Sequence, residues 1–164
     1  TVGAADGKRI NTIAQPLGTP DLTITKFDDY QFHEVDLTNI GKLGRTWFGE
    51  EISLKNEQTF DFNFPNIDTS IPVSIALHTG ANSVVSTSFV VAANGLNIGT
   101  LTMVDVALNS GKVAAEASLS SATTFPAASN ISIKLTYNNN GVPTSKGYLK
   151  QANVGIDWTV ESPS

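Results

Sequence analysis

The chain has no cysteine. That one absence removes disulfides, thiolate nucleophiles and cysteine-based zinc sites together, and it leaves the redox compartment open. Histidine is almost as scarce, with His33 and His78 alone in 164 residues, so any zinc site would have to be completed by carboxylates. No stretch reaches the ~18 consecutive apolar residues of a membrane-spanning helix, and no basic segment leads into an apolar run as in a secretory leader. Basic side chains are few, 10 against 15 acidic ones, for a formal charge of −5. Such a surface has little to offer a phosphate backbone, so nucleic acid is not an expected partner. The chain opens on Thr1 rather than Met, and we expect a piece of a longer precursor whose leader was removed or lies upstream.

What the sequence does contain is alternation. Apolar residues recur with period 2 rather than 3.6, which predicts strands with one buried and one wet face. Phe60, Phe62 and Phe64 face one way and Asp61 and Asn63 the other; Ile131, Ile133, Leu135 and Tyr137 repeat the pattern. Val73, Ile75 and Leu77 form a further stripe, as do Phe89, Val91 and Ala93, and Ala152, Val154, Ile156 and Trp158. The Ala-rich stretch 112–120 alternates too and is expected as a strand, although Ala favours helices. Ser88 to Ala93, uncharged and β-prone, would be hazardous on an exposed edge and is expected as a central strand, the alternative being an edge covered by a neighbouring domain. Turn signals separate the runs, Asn94-Gly95 being the clearest hairpin turn. Together these predict an all-β fold, an antiparallel β-sandwich of about eight to ten strands, jelly-roll-like. Residues 1–20, aperiodic and rich in Gly and Pro, read as an arm or linker, and 21–164 as a single β-sandwich domain.

The densest stretch chemically runs from Tyr30 to Ile52, with His33, Glu34, Arg45, Trp47, Phe48 and Glu50 among three glycines. Gly41, Gly44 and Gly49 allow unusual backbone or close approach, and Trp47 and Phe48 are expected to anchor the loop by burial. His33-Glu34 is not a zinc-protease motif, since the position four residues after His33 is Leu37. The plainer reading of His33 is a ring satisfied by a backbone carbonyl or a carboxylate. Glu34 is expected to pair with Arg45, whose planar fork grips a carboxylate bidentately. Glu50 and Glu51, adjacent on an extended chain, point to opposite faces and cannot flank one glycosidic bond. No G-x-S-x-G elbow occurs, and calcium ligands such as Asn66 and Asp68, or Asp28 and Asp29, lack an EF-hand spacing. No catalytic residue, metal ligand or cofactor site is expected.

The segments HEVDLTNIGKLGRTWFGEEISL (33–54) and TFDFNFPN (59–66) resemble the N-terminal region of the type IX secretion sortases, a gingipain-like cysteine peptidase family. The likeness extends to TSFVVAANGLNIGTL (87–101) and ISIKLTYNNNGVPTSKGYL (131–149), and is most specific over Gly44 to Glu50. It implies a β-sandwich that precedes a peptidase domain carrying the catalytic Cys and His, in an enzyme that cleaves sorting signals from cargo and helps attach that cargo to surface lipopolysaccharide. On that likeness this chain is a non-catalytic accessory domain at the outer membrane or cell surface of a Gram-negative bacterium. Its implied partners are the downstream peptidase domain of the same polypeptide and cargo C-terminal sorting domains or other secretion components, with Arg45, Trp47, Phe48 and Glu50 as the contact residues. After Gly147-Tyr148-Leu149 the family tends to an acid and an aromatic where this chain has Lys150, Gln151 and Ala152, so no site built there carries over. Two other readings stand beside this one: a carbohydrate-binding jelly-roll module in which Trp47 stacks on a sugar, and a purely structural spacer.

Overall fold

Each alternating run forms a strand in the computed structural model, which describes residues 27–42, 44–65, 67–125 and 129–156. In chain order the strands are β1 (Asp29–His33), β2 (Glu51–Ile52), β3 (Glu57–Asn63), β4 (Val73–Asn82), β5 (Thr87–Ala93), β6 (Leu96–Met103), β7 (Ala115–Thr123), β8 (Asn130–Asn138) and β9 (Lys146–Ile156). The arm expected over 1–20 lies outside the described residues, as does Trp158.

The strands form two antiparallel sheets. One has the order β1-β9-β4-β7, with β2 pairing β9 beyond the end of β1; the other has the order β3-β8-β5-β6. The fold is therefore the expected all-β sandwich. Ser88 to Ala93 lies in β5, flanked by β8 and β6, and is central as expected. The Ala-rich strand starts three residues later than the expected 112–120, because the side chain of Asn82, rather than a ladder bond, reaches the Val113 carbonyl at 2.6 Å.

The inward residues are those the alternation selects. Phe60, Phe62 and Phe64 meet Val73, Ile75, Leu77, Val154 and Ile156 in one contiguous core. Each such side chain, fully buried, contributes on the order of 1.5–3 kcal/mol. Gly147 leaves room for the rings of Phe89 and Tyr137, 4.8 Å apart between centroids, and the Tyr137 hydroxyl bonds Ser145 Oγ at 2.6 Å.

Side-chain contacts close both flanks of the sandwich. On one, Gln31 of β1 acts as a backbone mimic towards β3: its amide NH₂ donates to the Asn63 carbonyl and its Oε1 accepts from the Asn63 N–H at 3.2 Å. On the other, Leu119 of β7 packs where Gly99 of β6 lacks a side chain.

One irregularity shapes the outer face of the β1-β9-β4-β7 sheet. The β4–β9 register shifts between His78, opposite Gln151, and Thr79, opposite Leu149, leaving Lys150 as the extra residue of a bulge. Bulges re-aim side chains. Lys150 and Gln151 consecutively face out of the sandwich, Lys150 reaching Glu116 and Gln151 reaching Asn153.

Candidate binding face

The described residues of 34–50 cross the outer face of the β1-β9-β4-β7 sheet. It is tied down by Phe48, whose N–H donates to the Thr38 carbonyl at 2.9 Å and whose carbonyl accepts from the Thr38 N–H at 2.8 Å. The Gly49 N–H then donates to the Leu149 carbonyl at 2.7 Å, continuing the pairing along β9. The Phe48 ring lies on Gly80, where any Cβ would collide with it, 5.6 Å from the Tyr148 ring and under the Lys150 ammonium at 5.7 Å. Farther along the loop, Gly41 abuts Val113: a Cβ there would stand 2.8 Å from the valine Cγ1.

The expectation that Trp47 and Phe48 both anchor the loop by burial holds for Phe48 alone. Phe48 is 1% exposed and Trp47 43%. Neighbours on an extended chain point to opposite sides, and here only one side has a sheet beneath it. The expected Glu34–Arg45 pair is also absent; both side chains face solvent without an ion pair between them. The carboxylate that does take a partner is Glu50, whose Oε1 lies 2.7 Å from His33 Nε2. This pair turns inward, at a groove of about 380 Å³ between β1 and β3, with the His33 ring 4.9 Å from that of Phe60. The second Glu50 oxygen is buried with no hydrogen-bond partner among the described residues.

Glu51 points the other way, as expected, to Lys146 at 2.8 Å and Ser53 at 2.6 Å. Burial alone would raise its pKa, but these partners prevail and hold it below the usual carboxylate value. Burial, followed by the nearby Glu51 charge, pushes the Tyr148 phenol up to about 12. No three His, Asp or Glu side chains converge as a metal-ligand set among the described residues.

The seven residues singled out in the sequence thus separate. His33 and Glu50 pair between the sheets; Phe48 pins the loop; Glu34, Arg45 and Trp47 face solvent; and Tyr30 stands on the outer sheet face. Beside Tyr30 lies a surface the sequence reading passed over. Strand register aligns Tyr30, Gly155, Ser74 and Ala122 across the four strands, then Phe32, Asn153, Ala76 and Ser120, then Gln151, His78 and Ser118. The Phe48 loop covers Gly80, the next outward position on β4, and so walls off this area at one end. The Tyr30 ring lies over the bare backbone of Gly155 while remaining 62% exposed, and Phe32 is 75% exposed. Between Asn153, Gln151, His78 and the β7 serines runs an open trough of about 350 Å³.

No protein-family profile matches the chain, and no curated protein matches it. Solved structures do. The dimeric latent PorU from Porphyromonas gingivalis superposes with a TM-score of 0.66 at 18% identity, over 79% of this chain and 12% of that one. A carbohydrate-binding module, CBM36, in complex with calcium and xylotriose, aligns at a TM-score of 0.44 and 16% identity, over 68% of this chain and 90% of the module. The insecticidal delta-endotoxin Cry8Ea1 from Bacillus thuringiensis aligns at 0.46 and 18%, over 66% of this chain and 20% of the toxin. At such identities the likeness is one of fold: the chain has a PorU-like β-sandwich and spans about 12% of PorU's length.

Proposed function

We propose that this chain is a non-catalytic accessory module of a type IX sortase-like, gingipain-like cysteine peptidase, acting at the outer membrane or surface of a Gram-negative bacterium. The observation that carries the reading is the superposition on PorU over 79% of the chain at a TM-score of 0.66. The chemistry agrees with a binding role: the sequence holds no cysteine nucleophile, and His33 is committed to Glu50. The module positions the peptidase domain or captures cargo through the loop 34–50. Phe48 fixes that loop on the sheet and leaves Trp47 and Arg45 facing outward. A half-exposed Trp beside an Arg is the kind of pair that dominates protein contacts.

The reading is tested by calorimetric titration of the chain with a purified C-terminal sorting domain of a type IX cargo protein. Saturable binding, weakened about tenfold in Trp47→Ala at matched thermal stability, is expected. Heatless titration of both forms overturns cargo capture. Carbohydrate binding is a second reading, favoured by the exposure of Tyr30 and Phe32 rather than by Trp47.

A further inference from the structure

We infer that the outer face of the β1-β9-β4-β7 sheet is a binding site for a neutral oligosaccharide, built by Phe32, Asn153, Gln151, His78, Ser118 and Ser120. The inference deepens the second reading above and is independent of the sortase assignment.

Four features of the face select that ligand. The first is its aromatic border. Phe32 is 75% exposed on β1, directly opposite Asn153 of β9, with Tyr30 two residues away on the same face. Exposing a large ring next to a polar strand gains nothing for folding, but a ring face is a platform for the axial C–H surface of a pyranose.

The second is the amide pair. Gln151 Nε2 donates to Asn153 Oδ1 at 3.1 Å, which orients both side chains. That bond leaves the Asn153 NH₂ as a donor and the Gln151 carbonyl oxygen as an acceptor on two residues that line the trough. Sugar hydroxyls also donate and accept, so they match this pair as a carboxylate or an ammonium does not. The β-bulge at Lys150 makes the arrangement possible by setting the register that places Gln151 opposite His78.

The third is charge. The three rungs from Tyr30 to Ser118 present no Lys, Arg, Asp or Glu. The charges at its border are Glu34, exposed just past the end of β1, and Lys150 and Glu116, which are joined to each other at 2.8 Å, with His78 Nε2 3.7 Å from the Glu116 carboxylate. A polyanion finds no unpaired cation on these rungs, and a neutral glycan needs none.

The fourth is shape. The trough of about 350 Å³ is open and shallow, floored by Ala76 and the β7 serines. With Phe32 of β1 beside it, the face is four strands wide, about 14 Å at their usual spacing, room for a short oligosaccharide lying across the sheet. Amide, imidazole and hydroxyl groups alternate there with the apolar carbons of Ala76 and Leu119, a mixture that suits the hydroxyl edges and C–H faces of a sugar.

The test uses the full 164-residue chain and two-dimensional amide NMR. Xylohexaose, cellohexaose and mannohexaose are titrated to millimolar concentration as neutral probes, with trigalacturonate as the anionic counterpart. At least one neutral probe is expected to shift, saturably, the side-chain amides of Gln151 and Asn153 and the backbone amides of Ala76 and Ser120. Phe32→Ala and Asn153→Ala should each weaken that binding about tenfold. Ser120→Arg, which fills the trough without touching the core, should abolish it, and Trp47→Ala should leave it unchanged. Both alanine variants alter side chains outside the core, and their own spectra show whether the fold is intact. Silence towards all three neutral probes, shifts confined to the Trp47 loop, or equal binding of trigalacturonate overturns the inference. Loss of sugar binding in Phe32→Ala with cargo-domain binding retained separates this site from the loop.

Discussion

Phe48 and Trp47 show how much one residue's side of the chain decides. Both are large and aromatic, yet one ring fills the space above Gly80 and the other stands at the rim. Tyr148, which packs against Phe48, carries a consequence that can be measured. Its phenol is raised from an ordinary value of 10.0 to about 12 by burial and then by the Glu51 charge. The folded protein therefore holds this proton more tightly than the unfolded chain does. Stability from this source is fully present below pH 10 and is lost as the pH rises to about 12. The urea midpoint is expected to fall across that interval in the native protein and to stay flatter in Tyr148→Phe; equal slopes in the two would refute the assignment. Glu51 works in the opposite sense. Its lowered pKa contributes above the usual carboxylate value of 4.5 and is lost as the pH falls through the folded value.

Among elements, the β5–β6 hairpin shows the tightest link between local sequence and structure. Asn94 and Gly95 take φ of 46° and 82°, the left-handed pair that a type I′ turn requires. Asn94 also reaches sideways to β8: its Nδ2 donates to the Asn130 carbonyl at 3.1 Å and its Oδ1 accepts from the Ser132 N–H at 2.7 Å. Asn94→Ala loses both bonds and pays for a left-handed backbone, so a cost of about 2 kcal/mol in chemical denaturation is expected, with Asn94→Asp intermediate because it keeps the acceptor. A cost no larger than that of an ordinary surface substitution would show that the turn holds without this side chain.

This hairpin was legible because turn residues and alternation lie within one short window, as were the strands and the central place of β5. The start of β7 was not, because Val113 continues the alternation while its carbonyl is taken by the Asn82 side chain from another strand. The candidate site was legible only in part. Glycines and aromatics marked the 34–50 loop as ordered, yet the choice of Glu50 over nearer acids for His33 depends on β1 and the loop both running along β9. The open face was hidden for a different reason. Phe32, His78, Ser118 and Asn153 meet only through cross-strand register, and in sequence each is one more wet position on a half-buried strand.

At the scale of the whole molecule, the chain keeps passing from one sheet to the other. β2 and β3, β3 and β4, β4 and β5, β6 and β7, β7 and β8, and β8 and β9 are consecutive in sequence but lie in different sheets. Only β5 and β6, among the described strands, form a sequential hairpin within a sheet. Nearly every other pairing must close a long loop before it returns any stabilisation, and folding rates fall with such separation. Refolding is therefore expected on the millisecond-to-second scale, slower than for a helical domain of this length. The hairpin is the one pairing that forms cheaply, and through Asn94 it presents β8 with a template. Asn94→Ala should thus slow folding and leave unfolding nearly unchanged. Gln31→Ala acts at the flank between β1 and β3, a junction of segments 32 residues apart that closes after the sheets are in place. It should speed unfolding and leave folding nearly unchanged. Stopped-flow measurement of both limbs decides the order: the reverse assignment, with Gln31→Ala slowing folding, would put the nucleus at the flank and make the hairpin a late addition.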